Sequence, residues 1–269
     1  MKTIFIKVAS VLFAISMLTS CLGDGDNYME VSGDFAYIRE DDQIGKYAMT
    51  LRSGPVKADK VSTLTVGRAY YVSYKASYSG GGYAAIAERF DLVENEPVPI
   101  AKSYLGEPYS NVPEFQINDT INPKSIAIGA WDPYKDVFDD NWQISYNVSK
   151  KEGDEIEAYY YYDRDNQFEN GQALKENQAI IDVRFVKTLK SGVSKDPKNE
   201  TLSAFGSLKQ FREMYRPTYK EEVEGKKVAN VLIKFRYIKD ADKEPTVSYL
   251  GTFYTSGSEP VYGMIFVEE

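Results

Sequence analysis

The sequence predicts a mainly β protein in two parts, a small N-terminal barrel or sandwich and a larger C-terminal β-sandwich. Three observations carry this. Short segments along most of the chain alternate apolar and polar residues with a period of two. Five of the eleven prolines fall between Pro97 and Pro123, a density that opposes both helix interior and central strand. A helical pattern stands out only near Ser207.

The first part begins with weak strands near Phe35–Glu40 and Tyr47–Arg52. The clearest strand is Tyr70–Tyr78, where Tyr70, Val72, Tyr74, Ala76 and Tyr78 share one face. Gly80, Gly81 and Gly82 then predict a turn, since glycine adopts positive φ freely. A return strand over Tyr83–Val93 would place Ala84, Ile86, Phe90 and Leu92 on one side. Five strands of this kind fit a barrel over residues 33–102. Residues 103–123 read as an extended, proline-rich connection.

The second part, 124–269, repeats the pattern. Trp142, Ile144, Tyr146 and Val148 alternate with polar residues, as do Ala158, Tyr160 and Tyr162. The runs Ile181–Phe185 and Ala229–Tyr237 follow the same rule, and two more strands lie near Tyr249–Tyr254 and Val261–Val267. Ser207-Leu208-Lys209-Gln210 has the form of a capping box, with Leu208, Phe211 and Tyr215 on one helix face. Pro217 should end that helix. The expectation is a sandwich with one short helix.

The N-terminus reads as an export signal. Lys2 and Lys7 precede a mostly apolar run of eleven residues, Val8–Leu18, too short to cross a bilayer. Leu18-Thr19-Ser20-Cys21 has the form of a lipobox, and Cys21 is the sole cysteine. Residues 1–20 are thus expected to be removed. Cys21 would then carry the lipid, the partner being a membrane, with an outer-membrane location facing either the cell surface or the periplasm. An acidic tether over 21–32 would follow. It contains Asp24, Asp26 and Glu30, which either form a solvated spacer or resemble the surface-export signal of Bacteroidota lipoproteins. The mature chain has 30 basic against 40 acidic side chains. That balance repels phosphate backbones, so nucleic acid is not an expected partner.

Histidine is absent from the sequence. Ser-His-Asp and Cys-His catalysis and His-ligated metals are thereby excluded. No Ser-x-x-Lys, Gly-x-Ser-x-Gly or Walker loop occurs. No catalytic residue, metal or cofactor is expected.

The layout resembles the NigD-like lipoproteins of Bacteroidota. The likeness rests on the lipobox, Gly23–Asp26, Val66-Gly67-Arg68 leading into Val72-Ser73-Tyr74, Phe90-Asp91-Leu92, and Asn141–Tyr146 before the tyrosine-rich strand. It implies an N-terminal OB-type barrel followed by a C-terminal β-sandwich. An OB-type face would be able to bind oligosaccharide or oligonucleotide, and the acidic balance disfavours the second.

Candidate sites are few. Trp131, Tyr134 and Trp142 flank Asp132, Asp136, Asp139 and Asp140, aromatics and acids that would suit a sugar, although Trp142 also fits sandwich core. Tyr159 and Tyr161 should be half exposed opposite Tyr160 and Tyr162, as a platform or as cross-strand pairs. Asp163–Asn166 lacks the glycine and glutamate of a calcium loop and reads as a polar turn. Asp119-Thr120-Ile121 resembles an O-glycosylation acceptor at Thr120. The favoured function is non-enzymatic binding of a carbohydrate or protein partner. The alternatives are a structural part of a surface assembly (adhesin- or fimbria-like) and a glycoside hydrolase using two carboxylates.

Overall fold

The computed structural model describes residues 28–78, 83–106, 120–190, 196–241, 244–254 and 258–268. The signal segment, the lipobox with Cys21 and the Gly80–Gly82 turn lie outside the described residues.

The first part is a barrel of β1 (Tyr28–Asp41), β2 (Gly45–Thr50), β3 (Gly54–Lys57), β4 (Ala69–Ser77) and β5 (Ala85–Leu92), closed in the order β1-β2-β3-β5-β4. A one-turn helix, Asp59–Ser62, lies between β3 and β4. This is the five-stranded Greek-key plan of an OB-type barrel. Alternation fills its interior: Ala36 and Ile38 from β1, Ala48 and Val56, then Tyr70, Val72, Tyr74 and Ala76 from β4.

Two bulges change the phase of the strands. Gly33, at φ +64°, sits in a register shift between Val31 and Asp34. A second shift, opposite Lys75 and Ala76, leaves Glu88 as the extra residue. Ala85 is therefore buried and Ile86 exposed, the reverse of the simple alternation expected for that strand. Tyr78, expected on the inner face, is exposed.

The domain boundaries move. β1 begins at Tyr28, inside the expected tether, and its residues Tyr28–Val31 pair with β4. Glu30 is tolerated there because it faces water and pairs with Arg89 at 2.7 Å. At the other end the barrel closes at Leu92. The next strand, β6 (Lys102–Tyr104), belongs to the second part, and Ala101 and Leu105 lie in its core. The far end of the expected linker is also incorporated. Thr120 bridges Val186, and the Ile121 N–H donates to the Phe185 carbonyl at 2.9 Å.

The remaining strands are β7 (Ser125–Gly129), β8 (Asn141–Lys150), β9 (Glu155–Tyr161), β10 (Phe168–Glu169), β11 (Gln172–Ala173), β12 (Gln178–Leu189), β13 (Lys198–Ser207), β14 (Glu221–Val223), β15 (Lys226–Lys239), β16 (Thr246–Leu250) and β17 (Tyr262–Val267). One sheet runs β14-β15-β12-β9-β6, with β16 and β17 also bonded to β15; the other runs β13-β8-β7. Between them lies the core. Trp142, Ile144, Tyr146 and Val148 meet Tyr160, Val183, Phe185 and Phe235.

The helix spans Lys209–Met214 and buries Leu208 and Phe211. The expected capping box does not close. The Ser207 hydroxyl accepts from the Lys209 N–H at 3.1 Å, while the Gln210 amide oxygen accepts from Leu105 N–H at 3.4 Å.

Barrel and sandwich share an apolar interface. Phe35 and Tyr37, on the outer face of β1, pack with Val98, Phe138 and Phe205. A polar cluster continues it: the Tyr71 hydroxyl donates to Ser203 Oγ at 2.9 Å and accepts from Gln143 Nε2 at 3.0 Å.

Candidate functional site

The aromatic and acidic residues around Trp131 are engaged mainly within the protein. Trp142 is fully buried, packed at tilted angles among Trp131, Phe235 and Tyr262. A strand that alternates between core and partner sheet puts its largest apolar ring in the core. Trp131 is half-buried against it, and Tyr134 alone of the three is exposed, at 58%.

Three of the four carboxylates, those of Asp132, Asp139 and Asp140, are committed to architecture. Asp132 accepts from the Tyr134, Val137 and Phe138 amides. Asp140 grips Arg212 through both oxygens, with Nη2–Oδ1 at 2.7 Å. Asp139 pairs with Arg39 of the barrel at 3.0 Å, and the Asp136 carbonyl accepts from the same guanidinium. These bonds hold a loop with positive φ at Ala130, Lys135, Asp139 and Asp140. The loop in turn covers part of the barrel surface that OB-type folds use for ligands. Met49 of β2 and Val137 of the loop pack on the same interface cluster.

The tyrosine strand is divided between the two faces as expected, with Tyr160 and Tyr162 in the core. Tyr159, expected to be half exposed, is buried. It stacks on Tyr104 at 6.1 Å and donates to Glu157 at 2.7 Å, while Lys102 closes the group through an ion pair to Glu157. Tyr161 is half-buried and lines a cleft.

That cleft lies on the outer face of the larger sheet and encloses about 370 Å³. Strand register builds it. Tyr161 is opposite Asp182, Asp182 opposite Arg236, and Arg236 opposite Tyr249, so four neighbouring strands place one residue each in a transverse row. Arg184 stands two residues along β12 from Asp182 and so shares its face. Ile238, Val247 and the Asp163–Asn166 turn complete the rim.

The row is held by charge. Arg236 donates Nε to Asp182 Oδ1 at 2.7 Å and Nη2 to Oδ2 at 2.6 Å. Its Nη1 reaches the Asn166 carbonyl at 3.2 Å. Both partners are nearly inaccessible, a burial that would be costly for either ion alone. The hydrogen bond to Asp182 raises the Arg236 pKa further above its usual value. Burial pushes the Tyr161 phenol up to about 12, so it is a neutral hydrogen-bonding group at physiological pH. The Arg184 guanidinium lies 5.5 Å from the Tyr161 ring centroid.

Sequence reasoning placed Asp182, Arg184 and Arg236 on the watery side of their strands and stopped there. The available signal was charge at outward positions within otherwise apolar strands. Their convergence needed the parallel pairing of β12 with β15, which no local pattern encodes. Asp163 accepts from the Asp165 N–H at 3.0 Å, a polar turn. Thr120, the expected glycosylation acceptor, is half-buried beside Val186. Among the described residues no group of three or more Asp, Glu, Cys or His side chains is arranged to hold a metal. Nor does any described helix have the length and apolarity to cross a membrane.

No family model and no curated protein matches the sequence. Similar solved structures do exist. An uncharacterized protein of Parabacteroides merdae shares 12% identity over 89% of this chain and 100% of its own, with a TM-score of 0.52. A protein assigned as a lipoprotein, from Bacteroides fragilis, shares 7% over 82% and 96%, with a TM-score of 0.51. A NigD-like immunity protein from Bacteroides caccae shares 12% over 83% and 94%, with a TM-score of 0.44. The first two establish a shared fold and nothing beyond it.

Proposed function

We propose that the chain is a lipid-anchored envelope protein that binds a carbohydrate, without turning it over, in the cleft between Tyr161 and Tyr249. The observation that carries this is the transverse row itself. Two tyrosines flank a pre-paired Asp182–Arg236 couple on a rigid sheet face, in a cleft within the usual size range for small-ligand sites. Tyrosine rings offer flat apolar faces with a polar tip, and the Asn166 side chain and the Asp163 carboxylate add hydrogen-bonding groups at the rim. A hydrolase would need two carboxylates free to act across a glycosidic bond. Asp182 is locked to Arg236, which suits a fixed scaffold better than a general acid.

The lipobox at Leu18–Cys21 supports the anchor, as does the fold shared with a protein assigned as a lipoprotein. The outer membrane is the proposed location.

The test uses the full-length chain purified from membranes in detergent. Binding to a glycan panel should be saturable and should weaken at least about tenfold in Tyr161→Ala and in Tyr249→Ala, the scale of losing one well-packed aromatic contact. Binding unaffected by either change would move the site elsewhere. Release of reducing sugar by the wild-type chain would defeat the non-enzymatic reading.

A further inference from the structure

We infer that the cleft selects a sugar bearing a carboxylate and that Arg184 is the group that grips it. The inference rests on the carbohydrate reading above. It begins from the two guanidiniums of the cleft, which are not equivalent.

Arg236 is spent within the protein. Two of its nitrogens hold the two oxygens of Asp182 at 2.7 and 2.6 Å, and the third reaches Asn166. Arg184 is held loosely. Its Nη2 stands 3.7 Å from Asp182 Oδ1, and its Nη1 stands 3.4 Å from the Val183 carbonyl. Both distances lie beyond the range of a good N–H···O bond. One buried carboxylate thus serves two cations, and Arg236 takes both of its oxygens at bonding distance.

The other charge at the cleft is Asp163, whose Oδ1 accepts from the Asp165 amide. Arg184 therefore lines the cleft with a planar fork whose contacts to Asp182 and Val183 are long and whose other internal partner is the Tyr161 phenol beside it. Its side chain keeps 24% of its exposure, so a ligand can reach it. Such a fork matches a carboxylate through two parallel bonds. The Tyr161 ring beside it would support the sugar that carries the acid.

The experiment titrates the full-length chain with trisaccharides containing galacturonate, glucuronate or sialic acid. Each is compared with its methyl ester, which keeps the shape and removes the charge. The acids should bind at least about tenfold more tightly than their esters, the usual worth of a charged hydrogen bond over a neutral one. Arg184→Gln should abolish that difference. Arg184→Lys, which keeps the charge and loses the fork, should abolish most of it.

Equal binding of acid and ester, still weakened by Tyr161→Ala, would overturn the inference and leave the carbohydrate reading standing. A preference for acid that survives Arg184→Gln would overturn the assignment of Arg184. No binding by any of these sugars would overturn the inference, and the carbohydrate reading would then stand or fall on the wider glycan panel. The acid–ester comparison on the unaltered chain keeps the proposal falsifiable even if the Arg184 variants fold poorly.

Discussion

Single residues in this protein are often charged groups placed where water is scarce, and their partners decide what they contribute. Arg212 sits between Asp140 and the carbonyls of Pro133 and Ile265, tying the helix to the loop and to β17. Arg212→Met should cost about 3–5 kcal/mol, because Asp140 would remain buried and unpaired. Urea denaturation would measure it, and a loss below about 1 kcal/mol would mean that Asp140 finds water. Asp34 is the opposite case. It is buried in the barrel wall, accepting from the Tyr74 hydroxyl at 2.9 Å and from the Arg52 N–H at 3.2 Å, and burial raises its pKa above 3.8. The folded state then keeps the proton to higher pH than the unfolded chain. The contribution of Asp34 to stability is fully present below the ordinary value and is lost as pH rises towards the raised one. Asp34→Asn should therefore gain on the wild type as pH climbs from about 3 to about 7, read as the difference between their urea midpoints. A difference that stays flat over that range would contradict the burial argument.

At the scale of the element, alternation decides which side chains enter the core, and close approach decides where no side chain fits. Gly206 of β13 is such a place. A Cβ there would lie 2.6 Å from Tyr160 Cε2 and 3.0 Å from the Ala101 Cβ. Tyr160 is wholly buried and cannot swing away. Gly206→Ala should cost about 1–3 kcal/mol as overpacking, visible as a lower thermal midpoint. An unchanged midpoint would show that the two sheets separate more easily than their packing implies. Bulges act at the same scale. Glu88 shifts β5 by one residue, which is why Ile86 faces water although an unbroken period of two assigned it to the core. A bulge leaves little trace in a single sequence, since the inserted residue can be any polar one.

Across the whole molecule, the two parts behave as one packed body wherever they meet. Phe205 of the sandwich lies 5.8 Å from Phe35 and 5.4 Å from Tyr37 of the barrel, ring centre to ring centre. The stretch that leaves the barrel is bonded to both parts: Val98 N–H to Ala69, Phe205 N–H to Pro99 and Ala101 N–H to Phe205. Proline density had suggested a semi-rigid, extended connection over 103–123, and the carbonyls of Pro99 and Pro123 accept from the Phe205 and Asp240 amides. The expected consequence is a single calorimetric unfolding transition for the intact chain. Phe205→Ala should remove about 3–5 kcal/mol and split that transition in two. Two transitions already present in the wild type would show that the interface contributes little.

Local pattern determined the apolar face of most strands, though not of β5, as well as the mainly β class, the two-part plan and the helix near Ser207. These follow from the chain alone because a period of two and a proline cluster are properties of neighbouring residues. Tertiary structure decided the rest. It placed Trp142 in the core and gave Asp139, Asp140 and Asp132 to Arg39, Arg212 and backbone amides respectively. It also gathered Tyr161, Asp182, Arg236 and Tyr249 into one row. Residues from four strands meet only through pairing between segments far apart in sequence, and that pairing is fixed by how two sheets and a barrel pack together.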